Sequence, residues 1–159
     1  MGPTRRRPPT PSLPAAVGAA VSSDAGLRRV REELVLRHVA AENACDIDAA
    51  MATFTHPRYE IIPTGMVFDG EDAVRAMLLN QWAQPPRLQF TAEAIFHGDR
   101  GLVVETRTTS PGTSIDMLSM NLFGFDGPNL ILERCYFDRM LVTAQLDNAV
   151  AEMGTSRYD

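Results

Sequence analysis

The stretch Arg37-His38-Val39-Ala40-Ala41-Glu42-Asn43-Ala44-Cys45-Asp46-Ile47-Asp48 decides how this chain is read. Leu27, Val30, Leu34, His38 and Ala41 recur at helical spacing. The stretch therefore ends an amphipathic helix and sets a histidine on its core-facing side. Ser23 and Asp24 are the N-cap candidates of that helix. Asp46 is a second N-cap candidate, with Ile47, Met51 and Phe54 on one face of a short helix that Pro57 stops.

Working outward, residues 59–68 have a strand pattern interrupted by Pro63-Thr64-Gly65, which implies a bulge or an edge. Asp69-Gly70 is a turn. Residues 71–84 form a third amphipathic helix, with Val74, Met77, Leu78 and Trp82 on its face, ended by Pro85-Pro86. From Leu88 the pattern is strand: 88–97, 101–109, 115–125 and 130–138, with turn residues Gly98-Asp99, Pro111-Gly112 and Asp126-Gly127-Pro128-Asn129 between them. A short helix over 140–146 closes the order. Helices grouped ahead of an antiparallel meander predict an α+β fold. Its sheet is antiparallel or mixed and strongly curved into a cone around three helices. The hollow of such a sheet suits a small ligand.

The 159 residues suit one domain. Residues 1–23 carry five prolines and few large apolar residues and read as a disordered extension. The domain is expected over 24–148, with a tail over 149–159. Net charge is −5, and the only basic cluster is Arg5-Arg6-Arg7, so no nucleic-acid footprint exists in the domain. No apolar run reaches the length of a membrane span. Arg5-Arg6-Arg7 before Leu13 resembles a twin-arginine signal, but the following stretch is only weakly apolar. Cys45 and Cys135 have neither metal nor redox spacing and read as free thiols in a reducing cytoplasm. No His, Cys and carboxylate cluster stands at ligand spacing, so neither metal nor organic cofactor is expected.

The same stretch, followed by Phe54 and Pro63-Thr64-Gly65, resembles the nuclear transport factor 2-like superfamily, which includes SnoaL-like polyketide cyclases, ketosteroid isomerases and limonene epoxide hydrolases. The resemblance spans about residues 27–147. Glu133-Arg134-Cys135-Tyr136-Phe137-Asp138 and Gln145-Leu146 are more similar to the SnoaL-like branch. The departures matter as much. Ile62 stands where the isomerases carry their Asp base, and an apolar residue takes no proton. Arg107-Thr108-Thr109 lacks the Asp of the epoxide hydrolase pattern, and Ser114 replaces a His common in SnoaL-like chains.

The resemblance implies catalytic roles for Asp138, His38 and Asn121. Asp138 matches the acid/base position of SnoaL-like cyclases, and it also suits a helix N-cap. His38 and Asn121 match the isomerase oxyanion hole, and a buried histidine satisfied by its neighbours is the alternative for His38. Alternation puts Asn121 on one face with Met117, Ser119 and Phe123, and Arg134 with Leu132, Tyr136 and Asp138. Glu60 and Ile62 share a face. Glu105 and Arg107 alternate onto one face as an ion pair, leaving Leu102, Val104, Thr106 and Thr108 to the pocket. The expected substrate-binding set is Glu60, Ile62, Trp82, Met117, Phe123, Arg134 and Tyr136. These readings predict a small hydrophobic carbonyl-bearing ligand and cofactor-independent acid/base chemistry, or a non-catalytic binding or assembly module. Apolar residues on both faces of the late strands predict a homodimer through the outer face of the sheet.

Overall fold

The computed structural model describes residues 15–137 and 155–156. Helix α1 (Ala15–Ala44) leads into the five-residue α2 (Ile47–Met51), then strands β1 (Arg58–Ile61) and β2 (Met66–Asp69). Helix α3 (Glu71–Ala83) follows, then β3 (Gln89–Gly98), β4 (Gly101–Thr109), β5 (Asp116–Asp126), β6 (Asn129–Tyr136) and the short β7 (Thr155–Ser156). The strands form one curved, unclosed sheet in the order β3-β4-β5-β6-β1-β2-β7. All pairs are antiparallel except β1 with β6, so the sheet is mixed. The α+β expectation holds. The expected closing helix over 140–146 lies outside the described residues, and no described helix is long and apolar enough to cross a membrane.

Three local expectations are corrected. Ser23 and Asp24 fall inside α1, which begins at Ala15. Pro63-Thr64-Gly65 is neither bulge nor edge: β1 and β2 are a hairpin. Gly65, at a φ of 73°, makes its tight turn, donating to the Ile61 carbonyl at 2.9 Å. Asp46 does cap α2, accepting from the Ala49 amide at 3.0 Å. The inner side of α1 is rotated from the expected face: Val30 is 43% exposed, and Arg31, Val35, His38 and Val39 are buried. Arg31 earns that place by donating to two hairpin carbonyls, Gly127 at 2.8 Å and Asp99 at 3.0 Å, with its guanidinium over the Phe125 ring.

Two apolar clusters fill the concave side. One gathers Tyr59, Ile61, Phe68, Val74, Met77 and Leu78 under α3. The other gathers Val35, Leu102, Val104, Phe123, Phe125 and Leu130 under α1. Phe54 packs against both. Gly101 is required where β4 meets β5, because a Cβ there would stand 2.1 Å from the Phe123 carbonyl oxygen. A bulge at Gly124–Phe125 shifts the register of β5 on β6, and it matters for the site.

Candidate functional site

The inner face of the sheet is laid out by strand register. One row runs Leu102, Phe123, Glu133, Tyr59 and the next runs Val104, Asn121, Cys135, Ile61. Thr106 opposite Ser119 and Thr108 opposite Met117 continue the sequence. On β4 this face passes from apolar Leu102 and Val104 to polar Thr106 and Thr108, whereas on β6 the charged Glu133 lies in the first row.

At its centre a polar network is buried beneath α1. His38 and Glu42, one helical turn apart, meet Tyr59 and Glu133, which sit side by side on β1 and β6. His38 is fully buried; its Nδ1 lies 2.7 Å from Thr53 Oγ1 and its Nε2 2.7 Å from the Tyr59 hydroxyl. The Tyr59 hydroxyl donates to Glu42 Oε1 at 2.7 Å. Glu133 Oε2 lies 3.2 Å from His38 Nε2, and Cys135 donates weakly to Glu133 Oε1 at 3.6 Å. The rings of Phe54 and Phe123 meet the imidazole edge-on.

Burial opposes charge on His38, but Glu42 and Glu133 outweigh it and raise its pKa to about 10. Burial, then the neighbouring charge of Glu42, pushes the Glu133 carboxyl above its ordinary value, and His38 restrains the rise. Burial also pushes the Tyr59 phenol and the Cys135 thiol well up.

A second feature crosses three strands. Thr106 on β4, Asn121 on β5 and Glu133 on β6 lie on a diagonal of the inner face, each step spanning roughly 7 Å. Thr106 Oγ1, Asn121 Oδ1 and Glu133 Oε2 are all buried without a hydrogen-bond partner. Beside them Thr108 and Ser119 satisfy each other at 3.3 Å. Polar groups that fold into a core unpaired are the ones a ligand is able to pair.

The structure brings some expected residues together and separates others. His38, Asn121 and Phe123 are buried on the inner face, with Met117 half-buried on the same side. Trp82 packs at the edge of the α3 cluster, and Ile62 is half-buried just past β1. The face of β6 carrying Leu132, Arg134 and Tyr136 is the outer one: Glu133 and Cys135 turn inward, and Tyr136 is 41% exposed. Glu60 is buried on the outer side too, bridging Arg58 at 3.1 Å and Arg134 at 2.7 Å. Arg107 pairs with Asp116 through two bonds of 2.7 and 2.6 Å instead of Glu105, because the β4–β5 register sets Arg107 near the start of β5. Asp138 lies outside the described residues. Sequence reasoning missed Glu42, Tyr59 and Glu133; the His38-x-x-x-Glu42 spacing was the one visible signal.

His38, Glu42 and Glu133 also place one ligand-type atom each within 4.8 Å of the others. The Tyr59 hydroxyl lies 2.7 Å from both His38 Nε2 and Glu42 Oε1, so the node between them is closed by hydrogen bonds. On the outer face, Phe96, Val103, Leu122, Ile131, Leu132 and Arg134 border an open cavity of about 530 Å³.

A family profile described as a SnoaL-like domain matches residues 35–133. No curated protein matches the sequence significantly. Among solved structures, a protein of unknown function from Mycobacterium tuberculosis superposes with a TM-score of 0.63 at 15% identity, covering 87% of this chain and 97% of its own. The protein Bal32a, from a soil-derived mobile gene cassette, gives 0.62 at 17% identity, covering 74% and 96%. A Shewanella denitrificans protein assigned as a SnoaL-like polyketide cyclase gives 0.57 at 15% identity, covering 73% and 96%. At these identities the structural likeness speaks for the fold.

Proposed function

We propose that this chain, which belongs to the SnoaL-like domain family, binds a small hydrophobic carbonyl-bearing molecule against the inner face of its sheet and moves protons on it without a cofactor. The observation that carries the reading is the diagonal of unpartnered buried oxygens on Thr106, Asn121 and Glu133. Glu133 has the character of an acid/base, a carboxyl lifted by burial. Ionised, it takes a proton from the carbon next to the ligand carbonyl. The C–H electron pair forms the enolate, whose oxygen receives a hydrogen bond from the Asn121 amide. Where the enolate is conjugated with a neighbouring double bond, the far carbon of the dienolate recovers the proton from Glu133 and the double bond shifts, an isomerisation. Alternatively the enolate carbon bonds a second carbonyl carbon of the same molecule, and the new alkoxide takes the proton, an aldol-type closure. Removal of a second proton from the α-carbon by Glu133, with its delivery to the hydroxyl as the C–O bond breaks, releases water and forms the C=C bond, a dehydration. Asp138, outside the described residues, remains in the proposal as a second carboxyl.

One observation favours a non-catalytic binding or assembly module instead: His38 is fully enclosed with both ring nitrogens engaged. A panel of apolar mono- and dicarbonyl compounds, read by thermal shift and then by product analysis, separates the two. Binding with product that Glu133→Gln or Asp138→Asn abolishes supports the enzyme; binding without product supports the module. No shift with any compound would overturn both.

The proposal extends to a homodimer through the outer face, where Leu118 is 62%, Phe96 56% and Met120 40% exposed. Light scattering at micromolar concentration should give twice the chain mass, and Leu118→Glu should halve it. The free thiols of Cys45 and Cys135 support a cytoplasmic setting.

A further inference from the structure

The protons of the buried network can be counted. A threonine hydroxyl and a tyrosine hydroxyl each carry one proton and no more. The Thr53 hydroxyl donates its proton to the Ala50 carbonyl at 2.6 Å. The atom 2.7 Å away, His38 Nδ1, must therefore be the donor in that contact. The Tyr59 hydroxyl donates its proton to Glu42 Oε1 at 2.7 Å. With Glu42 as the carboxylate that accepts this proton, the same count makes His38 Nε2 the donor to Tyr59. A neutral imidazole has one N–H; two obligatory N–H donors require the imidazolium.

We infer that His38 is a built-in cation, an imidazolium throughout the neutral range, that acts as a positioning residue by holding the charge of Glu133 in place. It neither donates to a ligand nor shuttles a proton, because both N–H groups are committed within the fold. The groups facing it come from every element packed around it: Glu42 on its own helix, Tyr59 from β1, Glu133 and Cys135 from β6, with Thr53 and the rings of Phe54 and Phe123 completing the enclosure. Two carboxylates face one cation, and the raised pKa of His38 agrees with the proton count.

The consequence falls on Glu133. Glu42 shares its oxygen Oε1 with the Tyr59 proton, whereas Glu133 Oε2 has only the proximity of the cation at 3.2 Å and no bond of its own. The cation thus makes the ionised state of Glu133 accessible in a buried site through charge alone, since Oε2 is ion-paired at 3.2 Å but accepts no hydrogen bond. This deepens the proposed acid/base role and rests on it only for that last step; the charge state of His38 stands alone.

The test uses the full chain, labelled with ¹⁵N, and long-range ¹H–¹⁵N spectra of the histidine rings at pH 8.5. The expected result is two protonated nitrogens on His38 and a midpoint well above that of free histidine. Tyr59→Phe and Thr53→Val each remove one acceptor and should lower the midpoint, and Glu42→Gln should lower it most. A neutral His38 tautomer at pH 8.5, with the missing proton on Glu42, would overturn the inference. Carbon-detected titration of Glu133 gives the second readout: its midpoint should rise by a unit or more in His38→Gln. If that variant does not fold, the wild-type titration of Glu133 should inflect again as His38 deprotonates, and a Glu133 curve blind to His38 would count against a positioning role. Failure to find a carbonyl ligand would leave these spectra untouched, so the two readings fail separately.

Discussion

Two polar regions share the inner face of one sheet, and they are built on opposite terms. Around His38 both ring nitrogens lie 2.7 Å from a hydroxyl, of Thr53 and Tyr59, and the group is sealed by Phe54 and Phe123. Along the diagonal from Glu133 to Thr106, each residue carries a buried oxygen that makes no hydrogen bond, and only that of Glu133 has an ion-pair neighbour, His38. A satisfied buried network holds a unique packing, whereas an unsatisfied one is a liability unless something else completes it. The difference separates what the fold needs from what a ligand needs. Glu133 belongs to both, with Oε1 toward Cys135 and Oε2 beside the His38 ring but without a hydrogen bond.

The comparison can be broken or sharpened by experiment. The largest effect is expected at the shared residue. Once a carbonyl substrate is found, Glu133→Gln should lower its turnover by about 10² to 10⁴. Asp138→Asn measured alongside decides which carboxyl carries the proton, and equal turnover in both variants and the wild type would remove the acid/base reading.

Next comes the sealed network. His38→Ala strips two buried carboxylates of their cation and should destabilise the fold by about 3–5 kcal/mol in urea titration. A loss under about 1 kcal/mol would mean the network is held some other way.

The same network sets a pH dependence. His38 rises from 6.5 unfolded to about 10 folded, so its stabilisation is complete below pH 6.5 and is lost as pH climbs through 10. Tyr59 and Cys135 are also raised by burial, which acts in the same direction on the alkaline side. The urea midpoint should therefore fall steadily between pH 6.5 and 10, by an amount on the order of a few kcal/mol in unfolding free energy. A flat or rising curve would contradict the charged histidine.

Arg31→Ala releases two hairpin carbonyls from α1 and should cost about 2 kcal/mol. The smallest effect, with a telling sign, belongs to the diagonal. Asn121→Leu replaces a buried amide whose oxygen is unpaired with an apolar side chain and should leave stability within about 1 kcal/mol of wild type, or raise it, while abolishing ligand-induced thermal shift. A large loss of stability there would place Asn121 among the structural residues.

Much of this was legible in the chain. The boundaries of β3, β4, β5 and β6 followed to within two residues from alternation and from turns such as Gly98-Asp99 and Asp126-Gly127. Asp46 as a cap, His38 as a core residue, and Asn121 aligned with Ser119 and Phe123 all followed from period alone. These are local properties: a cap, a turn or a period is decided by a few neighbouring residues. What the sequence alone could not decide is which face of β6 turns inward. The bulge at Gly124–Phe125 and the parallel pairing of β1 with β6 put Glu133 and Cys135 inside and Arg134 and Tyr136 outside. Nor could it join Glu42, Tyr59 and Glu133 to His38, because that meeting requires a helix and two strands from distant parts of the chain to share one buried volume. Side-chain period is fixed within an element, but its phase is fixed only by what the element packs against, and so the site belongs to the tertiary structure.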